Sequence, residues 1–557
     1  SLSLSLSLES APLIPAAAVH LMQTQPDSPP PDAAKKPKLL LAGPDEDCPE
    51  SPHHVHHQHR GGGSPSAAYQ GLHGYLSARP RGWLVLFLLS LQIILLLCAR
   101  SIPVSSPPPR LRIGRVGGGD VSASDVAASP SSLPGTAAVS SSSGTGNGTS
   151  SDDGAACEYG RVYVYDLPPA FNKELVDGCD DLNPWSSRCD ALSNGGFGLP
   201  ASDLAGVVPD ALLPSWYATD QFALELIYHR RMLIHRCRTA DPSAASAFYV
   251  PFYGGLAVGK YLWSADVNYT ARDRDRHARM LLRWMGERDP WRRSGGRDHF
   301  IVLGRITWDF RRSRDGDWGG SFLHHPAMAG VTRLLIERNP WDGRDVGVPY
   351  PTGFHPRTPA DVRTWQAFVL GRPRPTLFCF AGAARSRVRG DFRGVLLQQC
   401  ARAGGRCRAL DCGGGRCSNR TGETLGLFLD SAFCLQPRGD SFTRRSTFDC
   451  MVAGSIPVFF WRRSAYMQYE WFLPAEAGEY SVLVDRAAVR NGSVEVGRVL
   501  EELGEERVRR MRERVAALIP RLVYAQPGGG LGGAGEEDAF DVALHGVLRR
   551  FREEQAR

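Results

Sequence analysis

Between Arg161 and Asp485 the sequence alternates short, strongly apolar runs with longer amphipathic stretches, and this alternation is the tightest constraint on its fold. RVYVYDLPPAFN (161–172) is a β-rich run broken by a proline pair. DQFALELIYHRRMLIHR (220–236) has apolar positions three and four apart, which predicts a helix. SAFYVPFYGGL (246–256) and DHFIVLGRITWDF (298–310) read as strands on either side of a further helix. The pattern resumes with TLFCFAGAAR (376–385), SAFCLQPRGDSFTRRSTFDCMVAG (431–454), SIPVFFW (455–461) and YSVLVD (480–485). Strands alternating with helices build βαβ units and a mainly parallel sheet. PYPTGFHPRTP (349–359), rich in proline and without a period, suits a hinge. The expected fold class is therefore α/β, with two Rossmann-like lobes at 156–355 and 356–525 and a C-terminal linker and helix at 526–557. Open α/β sheets hold ligands outside the carboxyl ends of their strands.

The first 155 residues are different. Residues 1–81 are rich in Pro, Ser, Ala and His and cannot bury enough surface to offset chain entropy, which predicts a disordered tail. Its cluster His53, His54, His56, His57 and His59 reads as a polar low-complexity tract rather than a metal site. From Gly82 to Ala99 only Ser90 and Gln92 are polar, and the run is just long enough to cross a ~30 Å hydrocarbon core as a helix. It stands too far from the amino terminus for an ordinary cleaved signal. Residues 100–155 are Ser, Gly, Pro, Ala and Thr, the composition of a flexible stem. Arginines flank both sides of the span, so charge does not orient it. The sequons at Asn147, Asn268, Asn419 and Asn491 lie beyond it, as do all of the 13 cysteines except Cys48 and Cys98. Both features favour a lumenal carboxyl side, hence a single-pass type II anchor.

Composition excludes several classes. With 42% hydrophobic and 22% charged residues the chain is neither wholly disordered nor fibrous. The net charge of +7 comes from an arginine-dominated set in which lysine supplies only Lys35, Lys36, Lys38, Lys173 and Lys260. No long basic run with interleaved aromatics occurs, so no nucleic acid is expected as partner. GxSxG, HExxH and P-loop patterns are missing, which argues against serine hydrolase, zinc protease and kinase-like chemistry. Cys400, Cys407, Cys412 and Cys417 are close enough for a zinc knuckle but lack paired CxxC spacing. In an oxidising lumen small disulfide loops are expected instead, with at least one thiol left over.

The strongest constellation is FCLQPRGDSFTRRSTFDCMVAGSIPVFF (433–460). An apolar strand ends at Leu435, Pro437 and Gly439 turn the chain, and a helix is expected to begin near Ser441 or Thr443. Exposed amides at a helix start form an anion site. The hydroxyls of Ser441 and Thr443 would join those amides, Arg444 and Arg445 would supply planar donors for a diphosphate, and Asp449, sharing a face with Ser446, would accept from ribose hydroxyls; Gly439 and Asp440 complete the donor-binding set. This set suits a nucleotide diphosphate-sugar and needs neither a metal nor another cofactor. Two DxD spellings, Asp273-Arg-Asp275 and Asp315-Gly-Asp317, sit in polar, arginine-rich surroundings and read as solvated turns.

YVYDLPPAFN, DQFALELIYHRRM, FYVPFYGGLAVGKYLW, GRDHFIVLGRITWDFRR, VPYPTGFHP, LFCFAGAAR and the 433–460 run, in this order, resemble the exostosin-type glycosyltransferases of family 47, and within them the plant xyloglucan galactosyltransferase branch. The resemblance covers about residues 157–525. It implies a type II Golgi-membrane enzyme of the two-lobed GT-B kind, inverting and metal-independent, with 156–355 facing the acceptor and 356–525 binding the nucleotide-sugar. It would move galactose from UDP-galactose to xylosyl branches of xyloglucan in cell-wall synthesis. The partners implied are a UDP-sugar, xyloglucan or a related polysaccharide, the Golgi membrane, and association with itself or with other glycosyltransferases. Ala384 replaces a usual proline, Ser455 a frequent cysteine, and the run 385–394 is atypical. These positions border the donor lobe, so UDP-galacturonic acid or UDP-arabinose stay open as donors, as does a silent glycan-binding scaffold.

Inverting transfer needs a base that removes the acceptor hydroxyl proton. Four residues of the acceptor lobe are candidates: Asp166 after VYVY, His229 on the helix DQFALELIYHRRM, His299 at the start of HFIVLG, and Asp309 in TWDFRR. Asp166 and Asp309 rank ahead because each directly follows a strand. Each also has a plain structural reading: a turn cap for Asp166, a core histidine for His229, a partner of Asp298 for His299, and a neighbour of Arg311 or Arg312 for Asp309.

Overall fold

The computed structural model describes residues 157–263, 269–385, 391–413, 417, 421–528 and 537–557. The tail, the apolar run 82–99 and the stem 100–155 lie outside these residues. Among the described residues, no helix is long and apolar enough to cross a membrane.

Six parallel strands make the first sheet: β1 (Val162–Val164), β2 (Arg238–Thr239), β3 (Ala247–Val250), β4 (His299–Ile306), β5 (Thr332–Glu337) and β6 (Asp345–Gly347), in the order β2-β1-β3-β4-β5-β6. Five parallel strands make the second: β7 (Thr376–Ala381), β8 (Cys407–Leu410), β9 (Ser431–Gln436), β10 (Ile456–Phe459) and β11 (Val482–Leu483), in the order β11-β10-β9-β7-β8. β3, β9 and β10 read as near-continuous apolar runs because helices cover both faces of a parallel sheet. Strand order reverses within each sheet, at β1 and β3 in the first and at β9 and β7 in the second. Such switch points open a crevice at the strand ends.

β5 breaks the apolar rule. Its buried Arg333 is neutralised by Asp345 on β6 (Nε to Oδ1, 2.8 Å) and by Asp342 (2.6 Å). A buried charge survives only when paired in this way. The helix expected over 220–236 is shorter, Leu224–Leu233. The proline-rich segment is irregular, and residues 349–356 are buried. His355 within it stacks on Phe197 with centroids 3.8 Å apart and bonds Thr219 Oγ1 and the Tyr524 carbonyl.

The C-terminal helix Ala539–Gln555 returns to the first sheet, although most of the second lobe separates the two in sequence. Phe540 and Leu544 meet Tyr228, Tyr249, Phe300 and Leu334 there. Arg231 clasps it through Asp538 (2.7 Å) and Asp541 (3.4 Å). One apolar core runs from Val162 and Phe300 to Phe433 and Val458, so the two sheets share an interior.

Ten cysteines pair: Cys157–Cys237, Cys179–Cys189, Cys400–Cys407, Cys412–Cys417 and Cys434–Cys450. The close-spaced quartet forms two small loops, not a knuckle, and buried Cys379 is the remaining thiol among the described residues. Asn491 is exposed at the end of a surface helix. Asn147, Asn268 and Asn419 lie outside the described residues.

Candidate active site

The carboxyl ends of β3, β4 and β5 in one sheet and of β7 and β9 in the other enclose a cleft of about 230 Å³. From β9, the Pro437–Arg445 loop supplies Gly439, Asp440, Ser441, Thr443, Arg444 and Arg445, and Ser446 follows at the start of the helix. Gly439 is required there, because a Cβ would collide with the Thr443 carbonyl oxygen. The helix begins at Ser446, later than expected, since the chain first turns through 440–442. Cys434 on β9 and Cys450 on this helix are bonded, so a disulfide closes the ends of the loop. Constraining such a loop stabilises by about 3 kcal/mol.

The loop is held from within and from the other sheet. Ser446 Oγ donates to Gln436 Oε1 (2.8 Å), and Trp308 Nε1 donates to Ser441 Oγ (2.9 Å). Arg444 donates to the Ala381 carbonyl (2.8 Å) with its guanidinium over the Phe380 ring. Arg445 reaches the Thr219 carbonyl and pairs with Asp449 (3.2 Å). Asp440 is bound by Arg385 (2.6 Å). Arg188, Arg305, Arg385 and Arg393 also line the cleft. Asp449 does not. One turn into the helix, its carboxyl is pushed up by burial against the pull of Arg445.

A fully buried acid underlies this loop. Glu337, the last residue of β5, accepts from the amides of Phe442 (2.7 Å) and Thr443 (3.2 Å), the Tyr350 hydroxyl (2.7 Å) and the Ser441 hydroxyl. Burial pushes its carboxyl up to about 7, the hydrogen bonds pulling the other way. Glu225 behaves alike beneath the neighbouring loops, accepting from Gly255 (2.6 Å), Gly304 (3.1 Å) and Leu256 (3.3 Å), with its carboxyl also pushed up to about 7 by burial.

Of the four candidates for a base, Asp309 stands in the cleft wall, just past β4. Its Oδ2 is held by Arg305 (3.0 Å) and its Oδ1 by Trp318 Nε1 (2.8 Å). The Arg311 and Arg312 expected beside it turn elsewhere, Arg311 to Asp342 and Asp345 and Arg312 to Asp275 and Asp315. His299 opens β4 and so lies at the opposite end of the strand. It is fully buried between Tyr165 and Phe248 and bonded to Asp298 (2.6 Å) and the Tyr165 hydroxyl (2.9 Å). His229 is half-buried, bonds the Tyr253 hydroxyl (2.9 Å), and is held by burial near 4. Asp166 is exposed after β1 and does not line the cleft.

The DxD carboxylates are engaged structurally. Asp273 forms a capping box with Thr270, Asp275 accepts from Arg312 and Ser321, Asp315 pairs with Arg312, and Asp317 accepts the Arg314 amide. Sequence reasoning missed Glu337, Glu225 and the cleft arginines Arg188, Arg305, Arg385 and Arg393. A carboxylate closing an apolar strand, as in LLIE, was the available signal for Glu337.

The arrangement of a cationic, hydroxyl-rich loop facing an ionisable acid across a cleft fits sugar transfer from a diphosphate, and sequence comparison agrees. Residues 156–503 match the Exostosin GT47 domain. The chain belongs to the exostosin GT47 family. Across 483 residues it is 54% identical to xyloglucan galactosyltransferase XLT2 of Arabidopsis thaliana, covering 85% of this chain and 89% of that protein. It is 40% identical over 390 residues to xyloglucan galactosyltransferase MUR3 of the same plant, 70% of this chain and 61% of the relative. It is also 39% identical over 400 residues to the Arabidopsis xyloglucan-specific galacturonosyltransferase 1, 71% of this chain and 58% of the relative. As a GT47 member the chain is a glycosyltransferase, and both sheets fall inside the matched region.

Proposed function

We propose that this GT47 enzyme is an inverting, GT-B-type galactosyltransferase that moves galactose from UDP-galactose to xylosyl side chains of xyloglucan. The observation that carries the chemistry is the meeting of the 439–446 loop and Asp309 in one cleft. The sugar and acceptor are supported by 54% identity to XLT2 along nearly the whole of both chains.

In this reading Arg385, Arg444 and Arg445 bind the diphosphate, with Gly439, Asp440, Ser441, Thr443 and Ser446 shaping the loop. Asp449 orients Arg445 rather than touching ribose. The acceptor hydroxyl gives its proton to Asp309 while its oxygen attacks the anomeric carbon from the face opposite UDP. The carbon–phosphate-oxygen bond breaks, UDP leaves, and the configuration inverts. The leaving diphosphate gains charge as the bond breaks, so fixed guanidinium donors stabilise the transition state more than the ground state. Asp309 keeps one lone pair free on each oxygen for the acceptor, since a carboxylate oxygen offers two. Arg305 and Trp318 fix its orientation.

The cellular setting belongs to the same proposal: a type II Golgi enzyme anchored by 82–99, its body lumenal on the 100–155 stem. Donor selectivity is where a second reading enters, because the relative named a galacturonosyltransferase is 39% identical and the cleft's arginines could also pair a sugar carboxylate. The experiment is a donor panel on the purified protein with UDP-galactose, UDP-galacturonic acid and UDP-arabinose, scored by UDP release in the presence of xyloglucan. Release with UDP-galactose foremost supports the proposal, and preference for another donor replaces it.

A further inference from the structure

The cleft wall built on the first sheet carries an aromatic surface that is no part of the 437–446 loop. Trp263 and Trp318 line the cleft with ring centroids 4.7 Å apart at 62°. Trp185 extends the row, 6.0 Å from Trp263. All three indoles are half-buried, so each leaves part of its surface outside the core. Trp318 is tied by its Nε1 to Asp309 Oδ1 at 2.8 Å, which sets the row directly beside the carboxylate that faces the reaction. The amide side chains of Asn183 and Gln221 stand in the same wall.

Aromatic surface left partly open inside a polar cleft marks a binding face. Its occupant needs broad apolar faces to cover indoles and a hydroxylated rim to meet amides. It has no use for net charge, because the guanidinium groups of this wall are already paired, Arg188 with Asp220 (2.7 Å) and Arg305 with Asp309 (3.0 Å). A β-linked pyranose chain has this chemistry: C–H groups on its faces and hydroxyls at its edges. A lipid would need a continuous apolar groove, which Asn183, Gln221, Arg188 and Asp309 interrupt.

We infer that Trp185, Trp263 and Trp318 form an acceptor subsite that stacks on the sugar rings of a neutral glycan and delivers its reacting hydroxyl to Asp309. This rests on the cleft being the glycosyl-transfer site. Trp263 and Trp185 are positioned to grip the chain, whereas Trp318 both grips it and orients Asp309.

The test uses Trp263→Ala and Trp263→Phe, since Asp309 is held by Trp318 and Arg305 rather than by Trp263. The readouts are the KM for a xylosylated glucan oligosaccharide, retention in a gel containing xyloglucan, and UDP affinity by calorimetry. Trp263→Ala is expected to raise the acceptor KM about tenfold and to lose retention, with UDP affinity within about twofold of wild type, as expected for losing one aromatic contact. Trp263→Phe should recover much of the loss. Unchanged KM and retention with intact UDP affinity would overturn the inference. If Trp263→Ala loses UDP binding and so has not folded, Trp185→Ala decides by the same gel, where unchanged retention overturns it. If the wild type ignores xyloglucan, the assigned acceptor is wrong. The subsite is then judged with other neutral β-glucans and xylans: loss of retention in Trp263→Ala supports it, and no glycan retained by wild type overturns it.

Discussion

Glu337 Oε2 accepts the Phe442 amide at 2.7 Å, so the last residue of β5 in one sheet holds the loop that follows β9 in the other. Through this bond and that to Thr443 the first lobe fixes the backbone of the 437–445 loop. Replacing the acid with alanine leaves two buried amides unpaired. Glu337→Ala is expected to lower stability by about 1–3 kcal/mol or more and to weaken UDP binding, measured by chemical denaturation and calorimetry. Glu337→Gln keeps an oxygen for the amides and an amide group for Tyr350, so most UDP affinity should remain.

The same carboxyl makes stability depend on pH. Burial raises it to about 7 from an ordinary 4.5, so between these values the folded state holds a proton that the unfolded state releases. Stability from this group is therefore fully present below about pH 4.5 and is lost as pH rises to about 7, by up to about 3 kcal/mol. Half-buried His229 and His235 and buried His355, held low by desolvation, act in the opposite direction, so the wild-type curve is a sum. The informative quantity is the difference from Glu337→Gln. Thermal melts should show the wild type losing ground to the variant between pH 5 and 7.5; parallel curves would contradict the assignment.

For the diphosphate, Arg444→Ala, Arg445→Ala and Arg385→Ala should each weaken UDP binding by roughly tenfold to a hundredfold, as loss of a charge-assisted contact implies. Lysine at these positions should restore only part, because a point charge cannot make a bidentate contact. Unaltered UDP affinity in all three, with the fold intact, would place the donor elsewhere.

Asp309→Asn should reduce kcat by about 10²–10⁴ while UDP affinity stays close to wild type. Asp166→Asn and His229→Ala are expected to turn over nearly normally. His299→Ala should instead fail by melting, because it empties a site inside the aromatic core. A normal rate for Asp309→Asn would remove it as the base.

Chelation separates the remaining mechanistic alternative. Guanidinium and amide donors can offset leaving-group charge without a cation, so turnover should persist in EDTA. Loss of turnover that manganese restores would bring the acidic pairs at 273–275 and 315–317 back into consideration.

What was legible in the sequence follows from where the chain carries its own explanation. The strand–loop–helix at 431–452 could be read because an apolar strand, a Pro-Gly turn and a following helical run are contiguous. Asp309 and Asp166 looked equivalent, since both follow a strand and only three-dimensional packing directs one into the cleft. β5 was missed because Arg333 and Glu337 charge a run that should be apolar, and their partners Asp345 and Phe442 are remote or on another lobe. The return of the C-terminal helix to the first sheet was likewise hidden, since Arg231 and Asp538 are 307 residues apart.

The most direct measurement is the structure of the product. Purified protein incubated with UDP-galactose and a xylosylated glucan oligosaccharide should yield, by mass and NMR, a single added galactose in β linkage to a xylosyl residue. Addition in α linkage, or transfer only from another UDP-sugar, would contradict the proposed inverting galactosyltransferase.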